Sequence, residues 1–121
     1  MDPPFLRVYV ILIVQFFATF LSLYLFQDTQ RPLGDPLRVG LNLLDLALAL
    51  SVFVASRGVD VSTLRRVGEI DLVLTSVISL VNLALYGNPS AQGIASSLEL
   101  LAVITLAFAI GFLHAMSKVF T

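Results

Sequence analysis

The chain contains no cysteine and no tryptophan, has a single histidine, and only 12% of its residues are charged. Without cysteine there are no disulfides, no thiolate or iron–sulfur sites and no thiol nucleophile, and the redox compartment leaves no signature. A lone histidine and the absence of HExxH argue against a dedicated metal site. A haem held between helices by two histidines would need a partner for His114, and the chain has no other. No cofactor and no metal are therefore expected. No serine or threonine stands in a recognisable nucleophile–base arrangement, so enzymatic activity is not expected either. Seven basic residues against eight acidic ones give a net charge of −1, which supplies no basic face for nucleic acid. The long basic clusters that bind lipid head groups are also missing.

What remains is mostly hydrocarbon. Of the 121 residues, 58% are hydrophobic, and the mean hydropathy is +0.97. A soluble domain carries about 25% charged residues, and a small one has too much surface to hide so little polarity. The chain reads as an integral membrane protein whose first partner is the lipid bilayer. Four apolar runs, roughly 5–26, 38–56, 68–86 and 94–116, are each long enough to cross about 30 Å of hydrocarbon. Lipid offers the backbone no hydrogen bonds, so each run is expected to be a helix despite its many Val, Ile and Phe residues. The fold class expected is an all-α polytopic membrane protein, a four-transmembrane-helix antiparallel bundle forming one domain over residues 1–121.

The connections are short. QDTQRPLGDPL (27–37) and YGNPSAQG (86–93) are rich in turn formers. SRGVDVSTLRRVG (56–68) carries three arginines, and its Ser62 or Thr63 is placed to cap an early start to the third helix. The first run is read as a helix rather than a cleaved leader, because MDPPFLR is acidic as well as basic and no small-x-small site follows the run. Arg7, Arg57, Arg65, Arg66 and Lys118 fall on one side of the membrane, and only Arg31 and Arg38 on the other. The positive-inside rule then places both termini in the cytoplasm of a cell membrane.

Each helix also carries a polar or small stripe. Gln15, Thr19 and Ser22 mark the first, and Arg38, Asn42 and Asp45 the second. Asp71, Thr75, Ser79, Asn82 and Tyr86 mark the third. Ser96, Glu99, Val103, Ala107, Gly111, His114 and Lys118 mark the fourth. Spacings of three and four put each set on one face, and in lipid such faces turn toward other helices. Ala107 and Gly111 form a small-xxx-small pair suited to close helix approach. Gln15, Arg38, Asn42 and Ser79 are expected to be packing contacts, with polar pairs of this kind contributing ~0.6 kcal/mol each. The Phe5, Phe16, Phe17, Phe20 and Phe26 series is apolar bulk.

Depth selects a candidate site. Counting 1.5 Å per residue from the helix ends puts Asp45, Asn82 and Glu99 at similar heights. A carboxylate at mid-helix costs ~2.5–3.5 kcal/mol to insert, so something inside the bundle must offset it. One reading makes Asp45 and Glu99, with Asn82, a proton or cation site. The other has Arg38 capping Asp45 and Glu99 bonding Ser96 or a neighbouring helix. Arg65, Arg66, Glu69, Asp71 and His114 are expected to cluster at the end that holds the termini.

No specific resemblance to a known family emerges. The middle of the first helix carries Gln15 and no glutamate, CxxC is absent, the third helix has no phenylalanine, and the fourth lacks regularly spaced arginines. These features separate the chain in turn from small multidrug transporters, thiol oxidoreductases, fluoride channels and voltage sensors. The leading expectation is a small structural or accessory subunit packing with other membrane subunits or copies of itself. The alternative is a proton- or cation-coupled transporter or channel protomer using Asp45 and Glu99.

Overall fold

The computed structural model describes residues 3–26, 36–59, 61–84 and 92–120. They form α1 (Pro3–Phe26), α2 (Pro36–Arg57), α3 (Ser62–Ala84) and α4 (Gln92–Phe120), with no strand among them. All four are long and apolar enough to cross a membrane, and the chain is a polytopic four-helix bundle. Neighbours in sequence are antiparallel neighbours in space, and α4 closes the ring against α1. The contact between α3 and α4 is the sparsest of the four. Helices α1 and α3, like α2 and α4, face each other across the diagonals.

The helices overrun the apolar stretches that mark them in the sequence. Apolar runs measure hydrocarbon thickness, whereas a helix continues into the head-group zone for as long as its backbone bonds are made. Helix α3 therefore starts at Ser62, not near 68. The carbonyl of Val61 accepts from the Arg65 N–H at 3.2 Å, so Val61 stands at the cap and Ser62 and Thr63 are already helical. Pro36 opens α2, where a missing N–H costs nothing. At the other end of α2 the Gly58 N–H donates to the Ala55 carbonyl (3.2 Å) and the Val59 N–H to that of Ser56 (3.3 Å). Arg65 Nε then donates to the Val59 carbonyl at 3.1 Å, tying the connection to α3. Arg57 stands 4.6 Å above the Phe53 ring and pairs with Glu69 at 3.0 Å, both about half exposed. An ion pair so exposed contributes little to stability.

The bundle is inside out relative to a water-soluble one. Gln15, Thr19, Ser22, Asn42, Asp45, Thr75, Ser79 and Glu99 are buried, while Phe17, Val54, Val73, Leu80 and Phe108 stand exposed. The phenylalanine series divides, with Phe5 in the core and Phe17 and Phe20 on the outside. The interior has two halves. Toward the termini and the α2–α3 connection, Phe5, Val8, Leu12, Val52, Val59, Leu64, Leu106 and Leu113 form an apolar plug. Toward the opposite end the buried positions are largely polar.

The expected α4 stripe leaves the interior beyond Val103. Ala107, Gly111, His114 and Lys118 are exposed, and Leu106, Leu113 and Ser117 hold the inward face instead. Each four-residue step turns about 40° past a full turn, so by Gly111 a run that starts at Glu99 has swung about 120° around the helix. A Cβ on Gly111 would meet nothing within 4 Å, so the Ala107–Gly111 pair brings no neighbour close within the bundle.

The close approach is elsewhere. A Cβ built on Gly68 would collide with Ser56 Oγ and come within 3.3 Å of the Phe53 Cα. Ser56 is fully buried and its hydroxyl donates to the Phe53 carbonyl at 2.8 Å, so it has no room to yield. Gly68→Ala is expected to lower thermal stability in detergent by about 1–3 kcal/mol through overpacking, despite alanine's better helix propensity. Gly111→Ala should be neutral or mildly stabilising. Equal melting temperatures for the two variants would contradict the α2–α3 contact.

Candidate functional site

Three carboxyl groups occupy the polar half of the interior, one on each of α2, α3 and α4. Asp71 is held from α1 across the diagonal: Gln15 Nε2 donates to Asp71 Oδ1 at 2.8 Å and lies 3.2 Å from Thr75 Oγ1. Thr75 Oγ1, one turn along α3, donates to the same Oδ1 at 3.1 Å. Glu99 is held from α3, with Asn82 Nδ2 donating to Glu99 Oε1 at 2.9 Å. Asp45 is within electrostatic reach of Asp71 and of the Thr19 side chain. Asp45 and Glu99 are also within electrostatic reach of each other. The three acids thus form a spaced series, Asp71 to Asp45 to Glu99, and among the described residues no three acidic, His or Cys side chains gather closely enough to hold a metal ion.

The groups without partners share one chemistry. Gln15 Oε1, Ser22 Oγ, Asn42 Oδ1, Asp45 Oδ1, Asp71 Oδ2 and Asn82 Oδ1 are buried and make no hydrogen bond. All are oxygens; the three amide oxygens accept only, and the two carboxyl oxygens accept only while ionised. The amide nitrogens of Gln15 and Asn82 are spent on carboxylates, which leaves their own carbonyl oxygens unmet. No Lys, Arg or His is among the buried residues described. Each unmet group costs about 1–3 kcal/mol in a dry interior, so this half of the bundle favours whatever brings donors or positive charge: protons, water or a cation.

The sequence-derived candidates are distributed as follows. Asp45, Asn82 and Glu99 do come together, through one hydrogen bond and one charge–charge interaction. Asn42 and Ser79 are buried beside them in sequence on their helix faces. Gln15 is a direct donor to a carboxylate. Arg38 lies in α2, but its side chain is outside the described residues, as is Tyr86. The cluster expected at the termini end loses one of its members. Asp71 leaves it because α3 begins at Ser62, which places Asp71 roughly 14 Å along the helix rather than in its first turn. Glu69 pairs with Arg57. His114 is exposed on α4, its Nδ1 lying 3.5 Å from the Tyr9 hydroxyl. The sequence puts Asp71 on the inward stripe of the third helix, where it is indeed buried, but does not single it out as a site residue beside Asp45 and Glu99.

A double-mutant cycle on Asn82→Ala and Glu99→Ala, read by unfolding in mixed micelles, should return a coupling of about 0.6–1.7 kcal/mol. Additive effects would mean that the two side chains do not meet.

Comparison of the chain with protein-family models, curated proteins and solved structures finds no match.

Proposed function

We propose that the protein is a proton-handling membrane component, a proton- or cation-coupled transporter or channel protomer, in which Asp45 and Glu99 work in series with Asp71. The observation that supports this most is the excess of buried acceptor oxygens with no buried basic side chain described beside them. Buried carboxyl groups without cationic partners cost least when protonated, or when water or a cation reaches them. The spacing of the acids favours hopping through water and amide bridges over a fixed metal cage.

In this proposal both termini lie on the cytoplasmic side of a cell membrane, as the distribution of Lys and Arg suggests. The polar half then opens toward the opposite side, and the plug around Leu12, Val52, Leu64 and Leu113 separates it from the cytoplasm. Passage requires the plug to part, and the sparse α3–α4 contact is the joint that yields at least cost. Four helices enclose little volume, which favours assembly of several copies or of other membrane subunits. No enzymatic reaction is assigned.

The second reading is a small accessory subunit with a packing role. It is favoured by the shallow outward groove at Ala107 and Gly111, framed by Ile104, Phe108 and Phe112, where small residues let another helix approach. The two readings part in a flux assay. In liposomes loaded with a pH-sensitive dye, the wild type should collapse an imposed proton gradient. Asp45→Asn, which preserves volume and insertion, should reduce the rate to that of protein-free liposomes. No flux from the wild type would favour the packing role, and equal flux from Asp45→Asn would show that protons pass without Asp45.

A further inference from the structure

The gap between α3 and α4 is a cavity of about 130 Å³. Its walls are mainly hydrocarbon, with Val67 and Leu74 on one side and Ala102, Leu106 and Ala109 on the other. Ile70, 59% exposed, lines the cavity at the lipid-facing surface, whereas Asp71, only 7% exposed, lines it in the interior. The cavity therefore runs from the lipid-facing surface to Asp71. Asp71 Oδ1 is occupied by Gln15 and Thr75, while Oδ2 is buried just behind the lining and has no partner.

We propose that this cavity binds a small hydrophobic amine, admitted sideways from the bilayer and held as its ammonium ion by Asp71. The chemistry follows from what lines the space. A carboxylate oxygen without a partner, with no buried Lys, Arg or His among the described residues, selects a donor carrying positive charge. The apolar walls select a hydrocarbon body, and the hydroxyl of Thr75 in the lining is already donated to Asp71. Thr105 adds no free donor, because its hydroxyl is spent on the Leu101 carbonyl at 2.8 Å. The volume suits a benzene-sized body, since an apolar cavity of about 150 Å³ accepts benzene. A neutral amine arriving from lipid takes the proton of the Asp71 carboxyl group, an N–H bond forming as the O–H bond breaks. An ammonium ion arriving as such meets the carboxylate, and both routes end in the same ion pair. Binding requires no proton flux, so the site goes beyond the transport reading and stands or falls separately.

The test compares benzylammonium with benzyl alcohol, its neutral counterpart of similar size, on the full chain in nanodiscs of zwitterionic lipid. Binding is followed by methyl NMR shifts and corrected against empty nanodiscs. The wild type should bind benzylammonium saturably and about tenfold or more tightly than benzyl alcohol, the margin expected of one charge-assisted hydrogen bond. Asp71→Asn should erase that preference. Ala109→Leu, which narrows the cavity without touching the hydrogen bonds of Gln15 and Thr75, should weaken binding of both probes. If Asp71→Asn fails to fold, Ala109→Leu and the wild-type preference decide the matter. Equal affinity for the two probes, no saturable binding, or binding untouched by Ala109→Leu would overturn the proposal.

Discussion

Hydrocarbon gives a polar group nothing to bond with, so every polar side chain carried into the membrane by these helices must find its partner inside the bundle or go without. That constraint accounts for the burial of Gln15, Asp45, Asp71, Asn82 and Glu99 and for the exposure of leucine and phenylalanine. It also makes the polar contacts between helices specific. Gln15 reaches across the diagonal to Asp71, and Asn82 reaches from α3 to Glu99. Leucines facing lipid tails could turn either way at little cost, whereas an amide paired with a carboxylate fixes how its helix is rotated.

The same constraint explains why the bundle is divided. An apolar plug packs around Leu12, Leu64 and Leu113, and there the two buried serines spend their hydroxyls on their own helix, Ser56 on the Phe53 carbonyl and Ser117 on that of His114. In the other half the acceptors outnumber what the donors can serve, and some oxygens stay unmet. Packing alone would be served better by fully paired or apolar residues, since breaking a buried polar network is costly and replacing it with hydrocarbon often is not. An interior built this way is suited to hold something that arrives from outside it. The looseness of α3 against α4 and the cavity between them leave Asp71 the most approachable of the three acids from the lipid side.

Much of this was legible in the sequence because membrane helices impose a simple code. The number of spans follows from hydrophobic length, and the inward faces of α1, α2 and α3 follow from polar spacing. Similar depth was enough to bring Asn82 and Glu99 together. Asp71 was misplaced by the start of α3: apolar run length marks the hydrocarbon boundary, and the turns from Ser62 onward continue beyond it. The α4 stripe drifted because repeated four-residue steps do not track a helix turn of 3.6 residues. The partner of Gln15 could not be read locally, since it depends on which helices stand across the diagonal. The Gly68–Ser56 contact likewise depends on how closely α2 and α3 cross.

A hydrated polar half sealed from the other side by an apolar plug is directly measurable, because the chain has no cysteine of its own. Single cysteines at Asn42, Ser79, Leu12 and Leu64 can be challenged with a membrane-impermeant thiol reagent, which needs a water-exposed thiolate to react. Modification is expected at positions 42 and 79 from the side facing away from the termini, with 12 and 64 protected from both sides. Protection at all four positions would show a dry, closed interior, and modification at 12 or 64 would show that no plug exists; either result would contradict the account.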